Sequence, residues 1–124
     1  MYIVKIVERF TERLSIGLSS NGQSFIIEDQ WKGGQICLKT KPMEFVTAAR
    51  NSLLPWNGEP KAFEITGEDK EGKYIARGSF AGNFGDDANT LYIVSGRNKT
   101  AGFAINLQPD DISRMLTVLN NFWD

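Results

Sequence analysis

The chain has 124 residues, 41% of them apolar, with eight Phe, three Trp and three Tyr; this is enough to bury a core without staples and excludes a disordered chain. A single cysteine, Cys37, excludes an intramolecular disulfide and makes a reducing, cytoplasmic compartment the expectation. The net charge of −1 offers phosphates no overall attraction, so any nucleic-acid binding must rest on how the charge is distributed.

Residues 2–10 read as a first strand that mixes apolar and charged residues and ends at Thr11-Glu12. No leader is read there, because a basic region and cleavage site are missing, and no apolar run in the chain approaches the ~18 residues of a membrane span. Leu14, Ile16 and Leu18 then alternate with Ser15, Gly17 and Ser19, the pattern of a half-buried antiparallel strand. Asn21-Gly22 is a hairpin signal; it leads into a third strand over 24–30, and Trp31-Lys32-Gly33-Gly34 turns the chain into a fourth over 35–39. Pro42 opens a helix with Glu44 in its first turn. Phe45, Ala48, Ala49 and Leu53 form its apolar stripe, and Pro55 stops it near Leu54.

Trp56 to Pro60 reads as a hinge. Strands follow over 61–66 and 73–80, joined by a polar turn at 68–72, and residues 81–89 are the longest irregular connection. Strands over 90–95 and 101–107 flank the basic turn Gly96-Arg97-Asn98-Lys99. Gln108-Pro109-Asp110-Asp111 opens a second helix, acids at its positive end, with Ile112, Met115, Leu116 and Leu119 as its buried face.

The second half repeats the first. An offset of 67 carries Pro42 onto Pro109 and Trp56 onto Trp123, Phe45 onto Ile112, Ala48-Ala49 onto Met115-Leu116, and Phe25-Ile26-Ile27 onto Tyr92-Ile93-Val94. Ile36-Cys37-Leu38 matches Ile105-Asn106-Leu107 once a two-residue slip is allowed. Such periodicity fixes architecture before any motif is read. The expected fold is α+β, one domain over 1–124 made of two ββββα repeats, about 1–57 and 58–124, with antiparallel sheets packed against two helices.

Enzyme chemistry finds little to work with. Without histidine the commonest general base and transition-metal ligand are missing, and no phosphate loop, dinucleotide fingerprint or zinc spacing occurs. Gly82 to Asn89 sets carboxylates beside glycine but lacks the spacing of a calcium loop. Neither catalysis nor a cofactor or metal is therefore expected. The acids cluster at Glu59, Glu64, Glu68, Asp69 and Glu71, at Asp86-Asp87 and at Asp110-Asp111, whereas the bases fall in or beside strands. A sheet packed on a helix by one face offers its other face to a partner. The offered positions are Lys5 and Arg9 on one face of the first strand, Ser15, Gly17 and Ser19 in the second, Cys37 and Lys39 in the fourth, and Ile75, Arg77 and Ser79 in the sixth. Lys5, Arg9, Lys32, Lys39, Arg77, Arg97 and Lys99 are the candidate phosphate contacts, and Trp31, Phe80, Phe84 and Tyr92 the candidate stacking platforms for bases. Trp31 and Phe80 also fit the core, and Trp56 and Trp123 fit helix docking.

Gly102-Phe103-Ala104-Ile105-Asn106-Leu107-Gln108-Pro109-Asp110-Asp111-Ile112 resembles the end of the single-stranded-DNA-binding domain of the coactivator called positive cofactor four, where a Gly-x-Ile-x-Leu strand runs into a Pro-acid helix start. The ββββα-ββββα order resembles the Whirly, Pur-alpha and mitochondrial guide-RNA-binding proteins. The resemblance implies curved sheets crossed by helices, binding of single-stranded DNA or RNA across the sheets, and homo-oligomers formed through the helices. It departs from that group in its acidic balance, in lacking the Whirly lysine- and glycine-rich motif, and in the extra Lys39-Thr40-Lys41 before Pro42. A protein-interaction module without nucleic acid, and a small-molecule-binding β fold, are the competing classes.

Overall fold

Alternating apolar residues and well-placed prolines set the elements. The computed structural model describes residues 4–19, 22–31, 35–69, 72–82, 89–95 and 103–123. In chain order these give β1 (Val4–Arg9), β2 (Leu14–Ser19), β3 (Phe25–Asp29), β4 (Gln35–Leu38), α1 (Met43–Ser52), β5 (Lys61–Asp69), β6 (Gly72–Gly82), β7 (Asn89–Ser95), β8 (Phe103–Leu107) and α2 (Pro109–Trp123). The architecture is α+β: two four-stranded antiparallel sheets, ordered β1-β2-β3-β4 and β5-β6-β7-β8, each followed by a helix. Among the described residues no helix is long and apolar enough to cross a membrane.

Local chemistry accounts for the boundaries. Gly22 turns the β2–β3 hairpin at φ 70°, a left-handed conformation that glycine adopts without steric cost, and its N–H donates to the Ser19 carbonyl at 2.8 Å. Pro42 caps α1, and Leu53 ends it with an N–H donated to the Arg50 carbonyl; Pro55, two residues on, bars its continuation. At the start of α2 the Asp111 carboxylate accepts the Gln108 N–H at 3.0 Å. With no proline to stop it, this helix runs for 15 residues against 10 in α1.

The polar turn expected at 68–72 is narrower than its composition implies. Glu68 is registered opposite Lys73 and Asp69 opposite Gly72, so only two residues separate the strands. Polar composition alone could not reveal that backbone pairing. Ala81 and Gly82, expected as loop, likewise extend β6 against Thr90 and Asn89.

The halves interlock by exchanging helices. α1 packs on sheet two, where the Phe45 ring lies 4.8 Å from Phe63 and 5.6 Å from Phe80. α2 reaches sheet one, where Phe122 and Trp123 lie 5.0 and 5.3 Å from Phe25. The Trp123 indole N–H donates to the Lys39 carbonyl at 3.4 Å. One buried cluster therefore joins Leu14, Ile16 and Phe25 to Phe45, Phe63, Phe80, Leu91, Ile112, Met115 and Leu119. Trp56 lies against Gly82 instead, where an added Cβ would meet its ring at 2.7 Å.

Each of the four outer strands has a backbone group occupied by a side chain from elsewhere. The Cys37 N–H on β4 donates to the Tyr74 hydroxyl at 3.2 Å, and the Glu64 N–H on β5 to the Glu44 carboxylate at 3.1 Å. The Ala104 carbonyl on β8 accepts Arg13 at 3.0 Å. At the end of β1, Arg114 reaches the carbonyls of Arg9 and Phe10 at 3.3 and 2.9 Å. Open edges invite further strands; these contacts interrupt all four.

Candidate nucleic-acid interface

The two sheets treat their outer faces differently. Along β2–β4 sheet one buries residues of both: Ser15, Ser19, Ile26 and Cys37 are buried, as are Leu14, Ile16 and Ile27 on the core side. Gln30 donates to Ser15 and to Glu28 at 2.5 Å each, and Gln35 donates to the other Glu28 oxygen, so polar groups there are satisfied within the sheet. The expectation that Ser15, Gly17, Ser19 and Cys37 form an offered face is thereby corrected. The single strand phase expected from Lys5 to Arg9 is interrupted in the backbone: Lys5 is registered opposite Leu18 and Arg9 opposite Ser15, with an irregularity between Ile6 and Glu8.

Sheet two leaves its outer face open. Phe63, Ile65, Ala76, Phe80, Leu91 and Ile93 point into the core, while Ile75, Tyr92 and Val94 are 42%, 46% and 48% exposed. Val94 faces Arg77 across β6–β7, and Tyr92 faces Ser79 on β6 and Ala104 on β8. Arg77 and Tyr92 are therefore diagonal neighbours on one face, within reach of long side chains. Arg77 is also paired with Glu64 at 3.0 Å, but the two side chains are 72% and 48% exposed. Such a pair contributes about 0–1 kcal/mol and yields readily to another anion.

Phe80 drops out of the stacking set. It is fully buried between Phe45 and Phe63, because its phase on β6 is that of Ala76 rather than that of Arg77. Tyr92 shows the reverse. The 67-residue offset equates it with Phe25, yet Phe25 is buried and Tyr92 exposed. Since a one-residue slip exchanges the faces of a strand, the repeat holds through the helices and loses phase at β3 and β7.

Trp31, 68% exposed, lies past the end of β3 beside the β8 edge. Arg13 holds it there. The guanidinium donates to both Asp29 oxygens at 2.9 and 2.8 Å and to the Ala104 carbonyl at 3.0 Å, and its carbon lies 5.4 Å from the centre of the Trp31 ring. The Trp31 N–H donates to the same Asp29 carboxylate at 3.0 Å. Asp29 raises the Arg13 pKa above its ordinary value, chiefly through these hydrogen bonds, with burial opposing and Coulomb attraction assisting. A cleft of about 340 Å³ opens here, lined by Thr11, Glu12, Arg13, Trp31, Ile105 and Asn106.

Ala104 thus joins two exposed aromatics. It is registered beside Tyr92 on the sheet and bonded through Arg13 to the Trp31 platform. Comparisons of the chain with known protein families, curated proteins and solved structures return no match. The site therefore rests on its own geometry.

Of the sequence candidates, the fold brings Arg77, Tyr92 and Trp31 together along sheet two and its β8 edge. Arg9 ends β1, two residues before the turn that lines the cleft, and Lys39 follows β4. Lys5 is placed only by its backbone register in β1. Lys32, Phe84, Arg97 and Lys99 lie outside the described residues, as does most of the glycine-acid stretch 82–89. Sequence reasoning missed Arg13, Glu12 and Asn106. An arginine before an alternating strand carries no signal of its own; only the buried Asp29, 16 residues away, assigns it a role.

Proposed function

We propose that this chain is a non-enzymatic single-stranded nucleic-acid-binding protein of the cytoplasm. Its strand would lie across the outer face of sheet two and over the β8 edge. The observation that carries the reading is the pairing of Tyr92 and Trp31, two exposed aromatics connected through Ala104. Aromatic platforms along a sheet, with cations beside them, hold unpaired bases with little demand on sequence. Arg77 supplies the cation by exchanging Glu64 for a phosphate. A preference for DNA over RNA comes from the family resemblance alone, as does self-association through the helices, for which Met43, Leu53 and Leu54 are the exposed apolar residues at the ends of α1.

Fluorescence anisotropy of a labelled mixed-sequence single strand, at low and moderate salt with duplex as control, tests the reading. Tyr92→Ala should weaken binding about 5- to 150-fold, the equivalent of one lost stack at ~1–3 kcal/mol, with the thermal midpoint unchanged. Arg77→Ala should flatten the slope of log K against log salt by about 0.7, one single-strand phosphate contact. Duplex preference, salt-insensitive binding or an unaffected Tyr92→Ala variant would overturn it.

A second reading rests on the adjacency of Ile75, Val94 and Tyr92, an exposed apolar group on one face that equally suits a protein partner. Flat anisotropy curves together with a concentration-dependent molecular mass that Val94→Glu abolishes would favour it.

A further inference from the structure

The cleft at the β8 edge contains three side chains whose chemistry is unspent. The Trp31 ring is covered on one side by Arg13 and exposed elsewhere. Asn106 accepts the Thr90 hydroxyl through its Oδ1 at 2.7 Å, which fixes the amide and leaves its two N–H donors uncommitted among the described residues. Glu12, exposed in a turn held by Thr11 Oγ1, which accepts the N–H groups of Arg13 and Leu14 at 3.1 and 2.9 Å, keeps a carboxylate with no partner among the described residues. Arg13 is not available as a phosphate contact, because Asp29 and Ala104 occupy its donors. Its task is to hold the Trp31 plate against the edge of the other half.

We propose that this cleft is a subsite for an unpaired guanine. The inference rests on the nucleic-acid reading and adds a base preference to it. An aromatic plate takes a planar base by stacking. The two polar groups then ask for one edge carrying an acceptor next to more than one donor. Guanine has that edge: O6 accepts from the Asn106 amide, while N1–H and the 2-amino group donate together to the Glu12 carboxylate. A two-point hydrogen bond to an ionised carboxylate is among the stronger polar contacts. Adenine, cytosine and thymine each offer the carboxylate a single nitrogen donor group. In a duplex this edge of guanine is already paired, so the same contacts favour single strands. The cleft volume of about 340 Å³ falls at the small end of the range for ligand sites, the size of a base rather than a longer segment.

The test uses the full chain and three labelled strands: all thymine, the same strand with one central guanine, and the same strand with inosine there. Inosine keeps O6 and N1–H and lacks only the 2-amino group. The guanine strand should bind about tenfold tighter than all thymine, the scale of one good bidentate contact. Inosine should lose most of that gain, and Glu12→Gln, at an exposed position, should erase the difference between guanine and thymine strands. Equal affinity for the three strands, or a guanine preference that survives Glu12→Gln, overturns the guanine subsite while leaving single-strand binding intact. Binding by none of the strands overturns both. Because the inosine comparison changes only the ligand, its outcome does not depend on a variant folding.

Discussion

Arg13→Met isolates the buried clamp beneath the site. The Asp29 side chain is wholly inaccessible and Arg13 is only 19% exposed, so removing the guanidinium strands a carboxylate away from water. Breaking a buried pair in this way costs about 3–5 kcal/mol, whereas an exposed pair is worth about 0–1. With a urea m value of about 2 kcal/mol/M for a chain of this size, the midpoint should fall by about 2 M, followed by far-UV circular dichroism. Arg13→Met/Asp29→Leu replaces both charges with apolar groups and should recover much of that loss. It should not recover binding, because the Trp31 plate has then lost both its guanidinium and the acceptor for its N–H. The raised Arg13 pKa sets the pH dependence: the stabilisation is fully present below the ordinary arginine value of the unfolded chain and is lost only as pH rises through the still higher folded value. The gap between wild type and Arg13→Met should therefore be constant from pH 7 to pH 10. A midpoint shift worth less than about 1 kcal/mol, or a double variant weaker than the single one, would refute the account.

Two further predictions address the fold that presents the site. Phe45→Ala removes a buried ring of the first helix that packs on the second sheet and should cost about 3–5 kcal/mol. Because the halves exchange helices, tryptophan fluorescence and circular dichroism should still report one coincident unfolding transition; two separated transitions would show that the halves are independent. Gly78→Ala should prevent β6 from pairing with β7, since its Cβ would fall 2.1 Å from the Tyr92 carbonyl oxygen. Loss of soluble protein, or a thermal midpoint at least 10 °C lower, is expected by analogy with other backbone clashes, and a midpoint within 2 °C of wild type would count against that register.

Much of the architecture was legible in the chain. Alternation from Leu14 to Ser19, the Asn21-Gly22 turn and the prolines at 42, 55 and 109 act over a few residues, where backbone sterics and local hydrogen bonds decide. The helical part of the repeat was legible for the same reason: Phe45 and Ile112, and Ala48 and Met115, occupy like places and are all buried. What the sequence by itself determined was therefore the order and kind of the elements, a ββββα unit used twice.

The tertiary structure alone decided which faces are open and which charges are spent. Phe80 and Tyr92 read alike in sequence as aromatics near strand ends, yet strand phase sends the first into the core and the second to solvent. An irregularity of β1 between Ile6 and Glu8 likewise shifts the backbone register along that strand. Arg13 and Arg77 look equivalent as bases beside strands, but one is locked by a buried Asp29 and the other only loosely held by an exposed Glu64. These distinctions depend on pairing register and on partners 13 or more residues away, and no local propensity encodes them.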